Sequence, residues 1–213
     1  MKFSSLFLVG ALGLLGAGCS SIEHSRNLAN PNVPATTIAQ QVCSLCHGID
    51  GNSVSPVFPR LGGQTPEYLV AQLGNFRGHQ RSDPPGYEYM WGITRHLTSE
   101  QIKGLAEYFS KQVPSPNPSD NATQLAAGKL IFDNGVPEKL AAPCGTCHGP
   151  NAQGMGPFPR LAGQHQDYLV KQLHVFQETE QRPGTPMEQI THLLTDKEMQ
   201  AVAAYLQNLP VTQ

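Results

Sequence analysis

The sequence predicts an all-α fold made of two similar domains in tandem, and three observations lead there. The chain repeats itself: FPRLGGQTPEYLVAQL (58–73) returns as FPRLAGQHQDYLVKQL (158–173), and GITRHLTSEQIKGLAEYFSKQ (92–112) returns in outline as QITHLLTDKEMQAVAAYLQNL (189–209). A repeat of about 100 residues is the size of a domain, too long for a solenoid unit. Apolar residues recur at helical spacing in each half, whereas no stretch alternates with period two as a half-buried strand does. The 213 residues have room for two such domains, and their 18 prolines and 21 glycines predict many loops between short helices.

Taken in order, the chain opens with a targeting segment. Lys2 supplies a positive charge, and Leu6 to Gly18 is an apolar run of about 13 residues, which suits a signal peptide and falls short of the roughly 20 needed to span a bilayer. It ends in Gly16-Ala17-Gly18-Cys19, similar to a bacterial lipoprotein cleavage site, so Cys19 is expected as the lipidated first residue of the mature chain. Gly16 stands where leucine is usual, which leaves ordinary cleavage as the alternative. Residues 20–34 then serve as a tether, 35–113 as the N-terminal domain, 114–118 as a proline-containing linker and 119–213 as the C-terminal domain.

Within each domain the helix signals fall in matching places. Thr65-Pro66 opens one helix with proline at its first position, and Tyr68, Leu69, Gln72, Leu73 and Phe76 follow along it. Thr98-Ser99-Glu100-Gln101 and Thr195-Asp196-Lys197-Glu198 are capping boxes. Behind them Ile102, Leu105, Ala106 and Phe109, and Met199, Val202, Ala203 and Leu206, define the apolar faces of the last helices. A further helix is expected from about Asn121 to Asp133, with a shorter counterpart before Cys43.

The cysteines carry the chemistry. Apart from Cys19 they form two C-x-x-C-H frames, CSLCH (43–47) and CGTCH (144–148), offset by 101 residues. A thioredoxin-like pair needs a βαβ setting that is absent. Zinc needs four ligands, and the frames stand in separate domains behind an export signal, where bare dithiols become disulfides. Haem attachment uses all three residues. Cys43 and Cys46, and Cys144 and Cys147, form thioethers to the vinyl groups, and His47 and His148 bind iron. Two covalently bound c-type haems follow, one centring each small domain.

For the sixth iron position the N-terminal half offers Met90, 43 residues after His47. The C-terminal half offers Met155, Met187 and Met199. Met155 lies too near His148 to reach the opposite ring face, and Met199 sits on the apolar face of the last helix. Met187, 39 residues after His148, takes the place Met90 has before its own last helix. Histidine is the alternative ligand, but none of the six histidines outside the frames recurs, which favours surface or loop residues over bis-histidine coordination. Pro59 and Pro159 are placed for their carbonyls to accept a ring N–H of His47 and His148, unless they are turn prolines alone. Arg60 and Arg160 are candidates for the haem propionates, with an exposed turn arginine as the alternative. Tyr68/Tyr168 and Gln72/Gln172 either cover a haem edge or pack. Trp91 has no counterpart, its place being taken by Glu188.

The formal charge of -2 offers no basic stripe for nucleic acid. With CSLCHGIDG and FPRLGGQ in one half, and AAGKLIFDNG, CGTCHGPNAQG and FPRLAGQ in the other, the chain resembles the cytochrome c4 family of bacterial dihaem cytochromes over nearly all its mature length. The resemblance implies two class I cytochrome c domains related by a pseudo-two-fold axis, with haem edges approaching at the interface. It further implies His-Met ligation at both irons and a carrier, not an enzyme, that takes periplasmic electrons to a terminal oxidase. A cytochrome bc complex or a dehydrogenase would be its other redox partner. Two features depart from the pattern: the lipid expected at Cys19, and RSDPPGYEYM (81–90), which lies in a stretch three residues longer than its counterpart. Two other readings stand beside the carrier. One is a dedicated electron-accepting subunit of a dehydrogenase or sulfur-oxidising complex, the other a dihaem peroxidase with one open iron.

Overall fold

A computed structural model describes residues 25–84, 86–115, 122–178 and 180–211. Cys19 and the signal segment lie outside them. The described residues form helices and turns, with two isolated β-bridges, Val136 to Ala141 and Met155 to Phe158. In the N-terminal half, α1 (Ala35–Ile38) continues through a π turn (Ala39–Cys43) into α2 (Ser44–His47). Next come α3 (Pro66–Arg77), a π turn (Gly86–Met90), α4 (Trp91–Thr94) and α5 (Ser99–Ser110). The C-terminal half repeats the plan with α6 (Ala122–Asn134), α7 (Gly145–His148), α8 (Gln166–Gln177), α9 (Met187–Thr191) and α10 (Asp196–Asn208). Between α6 and α7 it adds a 3-10 turn (Pro137–Lys139).

Both last helices begin as their sequences dictate. The Thr98 hydroxyl accepts from the Gln101 N–H while the Gln101 side chain accepts from the Thr98 N–H, and Thr195 and Glu198 do the same for α10. In each half the last helix crosses the first and packs on the helix that follows the FPRL stretch. The N-terminal core gathers Ile38, Leu69, Ile102, Leu105 and Phe109, and the C-terminal core Phe132, Leu169, Val202, Ala203 and Leu206. One glycine makes each crossing close. A Cβ on Gly128 of α6 would lie 2.0 Å from the Ala201 carbonyl oxygen, and one on Gly104 of α5 would lie 2.6 Å from the Ala35 Cβ.

The segment expected as a tether is partly folded. Val33 is buried, Leu28 packs against the N-terminal core, and the Gln101 amide donates to the carbonyls of Asn30 and Val33, both at 3.0 Å. Residues 25–34 therefore pack against the N-terminal domain, with Val33 in its core. At the domain's other end, Asn52 accepts from the Ser115 N–H and donates to the Val113 carbonyl, fixing the start of the linker.

Candidate haem sites

Each C-x-x-C-H frame occupies one helical turn, so its two cysteines and its histidine are delivered together. Cys43 and Cys144 stand at the N-caps of α2 and α7, and His47 and His148 end these turns. The chain then leaves at Gly48 (φ 80, ψ 156) and Gly149 (φ 83, ψ 153), backbone conformations that belong essentially to glycine. Burial raises the Cys43 thiol to about 12 and Cys144 to about 11. They stay protonated, and conversion to an uncharged thioether leaves no buried charge behind.

Both histidines are buried, and the Nδ1 of each lies 2.9 Å from a carbonyl oxygen, Pro59 for His47 and Pro159 for His148. A carbonyl can only accept, so Nδ1 carries the hydrogen and Nε2 keeps the lone pair a metal requires. Burial lowers both ring pKa values and outweighs the opposing pull of the proline carbonyls, which keeps the imidazoles neutral. Phe58 and Phe158 stand edge-on to these rings, with centroids 6.2 Å away in each half.

The methionines occupy matched positions before the last helices. Met90 ends the second π turn and Met187 begins α9, and both are half-buried. Fully buried threonines one turn later hold their backbones: Thr94 Oγ1 donates to the Met90 carbonyl at 2.7 Å, and Thr191 Oγ1 to the Met187 carbonyl at 2.8 Å. Met155 is exposed in the bridge to Phe158, and Met199 is buried in the core. The halves differ around Met90. His79, Tyr87 and Trp91 form an aromatic cluster there, with the Arg95 guanidinium 5.1 Å from the Trp91 ring.

The FPRL stretches meet each other across the domain boundary. Gln64 accepts from the Arg160 N–H at 2.6 Å and donates to the Arg160 carbonyl at 3.0 Å, while Gln164 does the same to Arg60 at 2.8 and 3.0 Å. This reciprocal exchange makes a seam. Arg60 donates to the Ser115 carbonyl, and Arg160 donates to the carbonyls of Ala162 and Gly62. His165, expected on the surface, is buried here with Nε2 2.8 Å from the Ser53 carbonyl oxygen of the other domain. The sequence carries no signal for this contact, because Thr65 fills the matching place and the partner lies 112 residues away.

Gln72 and Gln172 bridge the seam one layer further along. They accept from Arg81 and Arg182 between 2.6 and 3.0 Å. Gln64 and Gln164 recur in the quoted repeat, so their presence was legible although their role was not. Arg81, Asp83 and Arg182 gave no such signal, because an extra residue in the second half throws their repeat out of register.

Haem bound here supplies a one-electron couple at its iron, and the residues present fit it. The Nε of Arg60 and of Arg160 is buried without a hydrogen-bond partner among the described residues, where neither arginine forms an ion pair. Burial, reinforced by the like charge of Arg60, brings Arg160 down to about 10. Two crowded guanidiniums with unused donors call for anions, and haem propionates are anions of the required kind. In each half two thiols and one imidazole with a free Nε2 would complete the set.

The cytochrome c family model matches residues 34–112 and again 125–210. Cytochrome c-552 of Acidithiobacillus ferridurans is 39% identical over 212 residues, 98% of this chain and 90% of that protein. The thiosulfate dehydrogenase electron acceptor of Thiomonas intermedia is 34% identical over 177 residues, 80% of this chain and 79% of that protein. Among solved structures, the cytochrome c4 of Acidithiobacillus ferrooxidans superposes with a TM-score of 0.74 at 41% identity, covering 78% of this chain and 98% of that one. The helical plan, the duplicated attachment frames and these relatives agree: the chain belongs to the cytochrome c family as a cytochrome c4-like dihaem electron carrier.

Proposed function

We propose that this carrier works in the bacterial periplasm, passing single electrons to a terminal oxidase, with His47 and Met90 holding one iron and His148 and Met187 the other. The observation that carries the reading is the matched placement of the two methionines, each before its last helix with its carbonyl held by a buried threonine. An iron ligated on both faces has no position open for substrate, and methionine raises its potential. The protein's own work is then to hold two haems at fixed positions and set their potentials. Lipidation of Cys19 would keep the carrier beside membrane-bound partners; a bacterial lipoprotein carries more than one acyl chain, and stable anchoring requires more than one.

The test is a spectroscopic redox titration of the holoprotein that follows the Soret bands and the weak far-red sulfur-to-iron band. Two one-electron steps at high potential are expected, with the far-red band at full strength for two haems. Met90→Ala and Met187→Ala should each remove about half of that band and lower one step alone. A wild-type haem that readily binds carbon monoxide or peroxide would overturn the assignment at that iron.

A second reading changes the donor and keeps the chemistry. The similarity to a thiosulfate dehydrogenase electron acceptor favours a carrier that collects electrons from a dehydrogenase of sulfur compounds. Co-purification with such an enzyme, rather than with an oxidase, would select it.

A further inference from the structure

The Pro59 carbonyl that orients His47 is carried by a loop that the other domain holds on both sides. After Pro59, the N–H and the carbonyl of Arg60 are both taken by Gln164, at 2.8 and 3.0 Å. Before Pro59 stands Phe58, whose carbonyl accepts from the Ser53 hydroxyl at 2.7 Å. The same hydroxyl lies 2.8 Å from the Ser55 carbonyl, so its single hydrogen is shared within one loop. Ser53 is fully buried, and its own carbonyl oxygen lies 2.8 Å from His165 Nε2, with its Oγ at 3.4 Å. Burial lowers the His165 ring pKa and outweighs the pull of the Ser53 carbonyl, which keeps the ring neutral. Its one hydrogen sits on Nε2, because a carbonyl can only accept.

The C-terminal half closes the same loop by itself. There the Met155 N–H donates to the Phe158 carbonyl and the Phe158 N–H to the Met155 carbonyl, both at 3.0 Å. Pro59 lies 12 residues after His47, whereas Pro159 lies 11 after His148, so the N-terminal loop is one residue longer. Among the described residues that longer loop forms no such bridge, and the Phe58 N–H reaches the Ser55 carbonyl instead, at 3.2 Å. The positions that meet across the seam differ accordingly. Counted from the cysteine frames and the FPRL stretches, Ser53 corresponds to Gly154 and His165 to Thr65. A Cβ on Gly154 would lie 2.8 Å from Thr65 Cγ2, and the Thr65 hydroxyl has no hydrogen-bond partner among the described residues. A methyl therefore packs in one half where an imidazole donates in the other.

We propose that His165 is a positioning residue for the N-terminal haem site, supplied by the C-terminal domain: through Ser53 it closes the loop whose Pro59 carbonyl orients the His47 ring. The longer loop lacks its own bridge and takes its closure from the neighbouring domain. The hydrogen bond that fixes the orientation and basicity of His47 is then fully supported only while the two domains are docked. The second half leans on the seam at Arg160 alone, through Gln64. The inference rests on the assignment of His47 as an iron ligand and concerns how that ring is held, whatever the partner proteins.

The experiment is proton NMR of the intact, oxidised dihaem protein, measuring solvent exchange at the Nδ1–H of His47 and of His148, whose resonances are displaced by paramagnetic iron. His165→Ala should speed exchange at His47 by about tenfold, the worth of one buried hydrogen bond in a local opening equilibrium, and leave His148 within about twofold. His165→Gln keeps an N–H donor for the Ser53 carbonyl and should restore most of the protection. Ser53→Ala removes the hydroxyl alone and tests the same link should the His165→Ala protein fold poorly; it too should speed exchange at His47 and spare His148. Equal acceleration at both rings would reduce His165 to a general seam contact and overturn the proposal. A paramagnetically shifted His47 ring whose exchange neither substitution alters would overturn the proposal alone, whereas an unshifted His47 ring in the wild type would overturn the ligand assignment and the proposal with it.

Discussion

At the scale of single residues, the seam depends on side-chain amides that act as backbone partners. Gln64 is the sharpest case, because its amide satisfies both the N–H and the carbonyl of Arg160, and its oxygen also accepts from the Thr65 N–H at 3.0 Å. Gln64→Ala strands these groups where water is excluded, and each stranded group costs about 1–3 kcal/mol. Equilibrium denaturation of the holoprotein should show that loss, together with faster hydrogen exchange at the Arg160 amide. An unchanged midpoint would mean that water replaces the amide and that the seam is wetter than its burial implies. The same residue shows what a sequence reveals. Repetition exposed Gln64 and Gln164 as positions of interest, since the stretch around them recurs almost unchanged. Their partners, at sequence separations of 96 and 104, come from the other domain, and no local pattern encodes such a contact.

At the scale of elements, legibility follows the range of the interaction. The capping boxes of α5 and α10 were readable because both partners lie within four residues. The π turn before Cys43 and the 3-10 turn after α6 carry no comparable signature and depend on packing. The glycines at the helix crossings fall between these cases: Gly104 lies where the second half has Ala201, and there the glycine has moved to the facing helix as Gly128. Close approach is kept while the residue permitting it changes sides, so alignment of the halves hides it.

The two caps also differ in chemistry, with a consequence in acid. Gln101 cannot titrate, whereas Glu198 accepts from the Thr195 N–H at 2.6 Å and from Lys139 Nζ at 2.6 Å. Partial burial by itself raises the Glu198 carboxyl, but the hydrogen bonds from Lys139 and Thr195 outweigh it and bring it down from 4.5 to about 2. A carboxyl depressed in the folded state contributes stability that is fully present above pH 4.5 and is lost as pH falls toward about 2. The C-terminal domain should therefore weaken across that window through α10 while the cap of α5 is unaffected. Glu198→Gln, which keeps an acceptor for Thr195 and loses the ion pair, should cost about 1 kcal/mol at pH 7. In denaturation midpoints the gap between variant and wild type should close by pH 2; a gap independent of pH would remove Glu198 from the acid response.

At the scale of the whole molecule, the folded start of the N-terminal domain limits where the carrier can reach. Leu28 and Val33 pack against that domain, and Gln101 holds Asn30 and Val33 by their carbonyls. If Cys19 carries the lipid proposed above, the six residue steps from it to Ser25 span at most about 20 Å when fully extended. An anchored molecule would thus hold its N-terminal domain close to the membrane, with the C-terminal domain linked through the seam. The short reach turns lipidation from a matter of location into one of orientation, and it is open to direct measurement. Intact mass of protein extracted from membranes should exceed the haem-loaded chain beginning at Cys19 by the acyl groups, and the excess should vanish in Cys19→Ser, which should move to the soluble periplasmic fraction. A wild-type mass without acyl groups would mean that the leader is removed by ordinary cleavage and that the carrier diffuses between its partners.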